Sequence, residues 1–160
     1  MYQSECIGRI MSCRNPDAQA RVRGSGAYPC IGGQVRLYSV GNEVLLVTSL
    51  YGLPYLSPCS GAGVLGMHIH GGGRCSGNRE DPFADAGSHY DTEGCPHPYH
   101  QGDLPPVFVN KGLAWGAVVT DRFTIEEIRG KTVIIHRMPD DFMTQPSGNS
   151  GEKIACGVIY

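Results

Sequence analysis

Residues 34–50 read QVRLYSVGNEVLLVTSL, two alternating segments around Gly41-Asn42. In the first segment Val35, Leu37 and Ser39 share one face, and Arg36, Tyr38 and Val40 share the other. A period of two is the mark of a strand with one buried face, and Gly-Asn suits a hairpin turn. The pattern recurs on both sides: ARVRG (20–24) before it, then VLGMHIH (64–70), PVFVN (106–110), LAWGAVVT (113–120), KTVIIH (131–136) and KIACGVIY (153–160). YGLPYLSPCSGAG (51–63) reads as a loop, and DRFTIEEIRG (121–130) as a short helical turn or a crossover. Long amphipathic helices are missing, while 23 glycines and 11 prolines favour many turns. The expected fold is all-β, an antiparallel Greek-key sandwich or flattened barrel of about eight strands with two long functional loops. Its 160 residues suffice for one domain with a sizeable core. The expected boundaries are an N-terminal arm over 1–19 and the domain over 20–160. Trp115 is expected to pack on the barrel without a chemical role.

Net charge is −2, with no block of lysine or arginine. Neither nucleic acid nor an anionic membrane surface is therefore an expected partner. No apolar run approaches a membrane span. The opening MYQSECIGRIMSCRNPD lacks the apolar centre of a secretory signal, so a cytoplasmic location is expected. Seven cysteines there point to free thiols or metal ligands. Their odd number leaves at least one unpaired within the chain.

Residues 68–103 read HIHGGGRCSGNREDPFADAGSHYDTEGCPHPYHQGD. His68, His70, His89, His97 and His100 fall inside this stretch, and His136 is the sixth histidine. Each alone is more often an ordinary polar residue; gathered, they suggest metal, because neutral imidazole offers a lone pair near pH 7. Side chains two apart on a strand point the same way, so His68 and His70 share a face and Ile69 opposes them. A loop of over thirty residues after His70 needs an ordering force, and bound metal supplies one. His89, His97, His100 and Asp103 suit a closed tetrahedral zinc site. His68, His70, His89 and His136 offer four nitrogen donors, which suits Cu(II). His89 serves both groups, as an imidazolate can through its two ring nitrogens.

GMHIH (66–70), AGSHYD (86–91), HPYHQGDLP (97–105), KTVIIHRMPDD (131–141) and GNSGEKIACGVI (148–159) together resemble the copper,zinc superoxide dismutase family. The likeness runs from about Ala20 to Ile159. It implies a β-sandwich, for which that family is a known example, and a redox enzyme turning superoxide into oxygen and hydrogen peroxide. It implies copper on His68, His70, His89 and His136, and zinc on His89, His97, His100 and Asp103. Asp140 matches an aspartate that hydrogen-bonds ligands of both metals, whereas Asp141 is expected to be a solvated carboxylate. Cys75 and Cys156 match the family's disulfide. His89 is the implied proton carrier. Lys153 stands where the family usually has an arginine beside the copper, keeping the charge without the planar fork. Superoxide is the implied partner, and the resemblance leaves room for a homodimer. Departures are Gly71, where a glutamate is common, Asp91 in place of asparagine, a loop between His136 and Lys153 shorter than in many members, and Cys95 close to His97. The alternative is a non-enzymatic dismutase-like domain that binds metal or acts as a metallochaperone.

Overall fold

A computed structural model describes residues 7–54 and 63–160 of the chain. Cys6, Cys59 and most of the loop expected over 51–63 lie outside the described residues. The elements are α1 (Ile7–Cys13), β1 (Ala18–Gly24), β2 (Gly32–Val40), β3 (Glu43–Tyr51), β4 (Val64–Leu65), β5 (Met67–His70), β6 (Val107–Phe108), β7 (Ala114–Thr120), α2 (Ile125–Ile128), β8 (Thr132–His136) and β9 (Lys153–Val158). Seven strands form one sheet in the order β5-β8-β9-β1-β2-β3-β7, and every pairing is antiparallel. β4 pairs with β6. Because β4 leads into β5 and β6 lies beside β7, this small pair links the two ends of the curled sheet.

The expected hairpin forms, with Val40 opposite Glu43 across Gly41-Asn42 and Gly41 at φ +62°, where glycine has no Cβ to clash. Inside the barrel, Val35 and Leu37 meet Leu46, Ile69, Val133, Ile135 and Ile154 in one core. DRFTIEEIRG folds as α2, closed at its start by a capping box between Thr124 and Glu127.

Three details differ from expectation. β1 begins at Ala18 rather than Ala20. VLGMHIH is two strands, because the chain changes partner at Gly66: β4 pairs with β6, and β5 pairs with β8. Trp115 sits on the outer face of β7 at 65% exposure, not packed. The outer face of β2 and β3 is also buried in part. There Ile10 of α1 covers Tyr38, Leu45 and Val47, which explains why Val44–Val47 is apolar on both faces.

Candidate metal centre

β5 and β8 run side by side, with His68 opposite Ile134 and His70 opposite Thr132. Met67, Ile69, Val133 and Ile135 point into the core. His68, His70 and His136 therefore emerge on the outer side, beneath the long loops. A register shift between Ile135 and His136 turns His136 toward its partners. The loop after β5 returns as a third layer, with bridges between His70 and His89 and between His68 and Asp103. Gly102 allows this return: a Cβ there would lie 2.2 Å from the Ile69 carbonyl.

Two groups of donors result. One atom each from His68, His70, His89 and His136 falls within 4.8 Å of the others, and the same holds for His89, His97, His100 and Asp103. All are buried except His100, which is half-buried. The sequence-predicted ligands thus come together in two sets that share His89.

The hydrogen bonds fix which nitrogens carry protons. His70 Nδ1 donates to the Gly87 carbonyl at 2.8 Å, and His136 Nδ1 to the Gly151 carbonyl at 3.1 Å. Their Nε2 atoms therefore both present lone pairs, and these sit 3.2 Å apart. Two facing acceptors are unfavourable unless a cation joins them. Asp140 takes His68 Nε2 at 2.7 Å on one oxygen and His97 Nε2 at 2.9 Å on the other. That frees His68 Nδ1 and His97 Nδ1, which are buried and have no hydrogen-bond partner among the described residues. His97 Nδ1 lies 3.2 Å from Asp103 Oδ2, another acceptor facing an acceptor. His89 Nδ1 lies 2.7 Å from Asp103 Oδ1, while its Nε2 is buried without a partner. A buried acceptor without a partner is expensive, and this set of imidazoles with one carboxylate fits two divalent cations on either side of His89.

The electrostatics agree. Burial, aided by neighbouring imidazoles, holds His70 well below its ordinary range and His136 down to about 3. Burial also lowers His68, against the pull of Asp140. These rings are neutral at pH 7, the form that binds metal. Burial works to raise Asp103, but hydrogen bonding to His89 and the charge of nearby imidazoles bring it down to about 2. Asp140 is held low in the same way, with His68, the Phe142 amide and His97 overcoming its burial.

Lys153 lines the same cleft as His70, His89 and His136. Cys75 and Cys156 are joined, with S–S 2.01 Å and Cα atoms 5.6 Å apart. Cys95 is a free thiol in neither donor group; its amide bonds to Asp91, whose carboxylate closes a turn with the Glu93 amide as well. Asp141 is exposed and caps the turn to Thr144.

Three contributors escaped the sequence reading. Arg122 Nη1 donates to the carbonyls of Pro98, His100 and Asp103 at 3.1–3.3 Å, pinning the loop that carries three donors. Gln145 clasps the His97 backbone by its amide and carbonyl. Gly148 makes room for Asp140 and His97, since a Cβ there would lie 1.9 Å from Asp140 Oδ1. An arginine or glutamine bound to backbone has no sequence signature, because any residue supplies a carbonyl.

Residues 31–159 match the model of the family described as copper/zinc superoxide dismutase. The chain belongs to this family. The superoxide dismutase [Cu-Zn] of Photobacterium leiognathi is 38% identical over 111 residues, covering 61% of this chain and 64% of that protein. Superoxide dismutase [Cu-Zn] 2 of Aquifex aeolicus is 30% identical over 142 residues, covering 79% and 78%. The matched part spans less than two thirds of the Photobacterium protein and 62% of the Escherichia coli one. The copper/zinc superoxide dismutase of Brucella abortus shares the fold, with TM-score 0.74 at 24% identity over 90% of this chain and all of that one.

Proposed function

We propose that the protein is a superoxide dismutase. Two superoxide anions and two protons become one oxygen and one hydrogen peroxide. His68, His70, His89 and His136 would hold copper; His89, His97, His100 and Asp103 would hold zinc. When bound, copper supplies one-electron redox cycling and zinc a fixed positive charge. The observation that carries this is the position of His89, which belongs to both donor groups.

The chain's own residues do the rest. Asp140 orients His68 and His97, one ligand from each group, so the two sites are rigidly related. The Gly87 and Gly151 carbonyls set the tautomers of His70 and His136. His89 Nε2 is placed to hold a proton between half-reactions while Nδ1 stays with Asp103. His89 lines the cleft together with Lys153, so proton and anion are handled at one place. Among the described residues, Lys153 is the only ammonium lining that cleft and is the candidate for holding the anion.

Metal analysis with a superoxide-consumption assay tests this. About one copper and one zinc per chain, with activity, is the expected result. Zinc alone, with no activity after copper loading, would make the protein a metal-stabilised scaffold instead.

A further inference from the structure

We propose that Asp81 is a positioning residue that ties the Lys153 ammonium to the cleft wall and offsets its charge, so that it governs the pull on an incoming anion. This rests on the dismutase function proposed above. Lys153 Nζ donates to Asp81 Oδ2 at 2.5 Å and to the Phe83 carbonyl at 3.4 Å. The lysine side chain is 16% exposed and that of Asp81 39%, so solvent screens the pair in part from the aspartate side.

Asp81 is itself held in place. Its other oxygen accepts the Phe83 amide at 3.0 Å. Asn78 Oδ1 accepts the amides of Glu80 and Asp81, closing the turn. The segment is anchored by the Cys75–Cys156 disulfide and by Phe83, packed with Ile134 and Cys156.

The lining of the cleft, about 570 Å³ in volume, gives the pair its consequence. Glu80, Asp81, Asp91 and Glu152 line it, against the single ammonium of Lys153. Glu152 accepts a hydrogen bond from Tyr28 at 2.6 Å, and Asp91 accepts from backbone amides. Those donors are neutral and leave the carboxylate charges in place. These carboxylates oppose the positive charge that Lys153 and, when bound, the two cations bring to the cleft, and so weaken its pull on a small anion. Salt screens repulsion as well as attraction. The rate of superoxide consumption should therefore fall only weakly on adding salt, less than in a cleft with fewer carboxylates.

The test uses the full chain loaded with copper and zinc, as wild type, Asp81→Asn, Asp81→Glu and Glu80→Gln. The rate is followed from about 10 to about 150 mM ionic strength, and acetylation of Lys153 by acetic anhydride is read by peptide mass mapping. Asp81→Asn should raise the low-salt rate about two- to fivefold and make it fall more steeply with salt. It should also speed Lys153 acetylation, because the amine is freed from its carboxylate partner. Asp81→Glu should keep the wild-type slope. Glu80→Gln should raise the rate less and leave the acetylation of Lys153 unchanged. If Asp81→Asn and Glu80→Gln behaved alike in both measurements, the tie between Asp81 and Lys153 would be wrong. A loaded wild type without activity would sink the dismutase function, and the acetylation rates would still decide whether Asp81 restrains Lys153.

Discussion

His89 faces Asp103 with one nitrogen and the cleft-side donors with the other. His89→Ala should abolish activity and lower the content of both metals. Unchanged copper and zinc in the purified variant would rule out a shared ligand. Asp140 acts at one remove, since each oxygen steadies a different imidazole. Asp140→Asn replaces one acceptor with a donor facing an imidazole N–H. Metal affinity should fall about 10–100-fold in competition with a chelator; equal affinities would reduce Asp140 to packing. Lys153→Glu should depress the superoxide rate most at low salt, with the deficit shrinking as salt is added. At this scale the donors were legible because imidazoles are scarce and the HxH, HxxH and GD spacings are local. The roles of Arg122 and Gln145 were not, because their partners are backbone carbonyls and an amide distant in sequence.

Strands and loops carry these residues in different ways. β5 and β8 supply three histidines on one outward face, while Ile69 and Val133 fill the core behind them. The loop from Pro139 to Glu152 reaches back over them and is shaped around Gly148, at φ +63° and against Asp140. Gly148→Ala adds a strained backbone of roughly 1–3 kcal/mol to a steric clash. It should lower zinc retention and the melting temperature of the loaded protein. Gly116→Ala on β7, where a Cβ meets nothing within 4 Å, should change stability by less than about 0.5 kcal/mol and serves as the control. The disulfide closes a separation of 81 residues. Chain entropy alone assigns such a closure about 4.5 kcal/mol, so Cys75→Ser should cause a loss of that order in urea unfolding. Alternation at period two made the strands legible. The split at Gly66 was hidden, because both halves alternate normally and only the change of partner separates them.

For the whole molecule, the buried rings make stability depend on pH. In the metal-free protein His136 titrates near 3, and His68 and His70 are lowered too, whereas an unfolded histidine titrates near 6.5. Between these values the unfolded chain binds protons that the native one refuses, so stability is complete above about 6.5 and declines as pH falls. Asp103, at about 2 when folded, loses its contribution in the same direction below its ordinary 3.8. Urea midpoints of the metal-free protein should drop steadily from pH 7.5 to pH 4, and a flat profile would mean that the rings are not buried neutral. Sequence by itself determined the strand ladder, the sandwich class and the list of donors, since pleat periodicity and ligand chemistry are properties of neighbouring residues. The resemblance implied that His136 joins His70 and that Asp140 serves both groups; the atoms by which they meet, and the restraint of Lys153 by Asp81, came from tertiary structure alone. Those contacts join residues 43–72 positions apart, and only the curl of the sheet and the return of its loops set such distances.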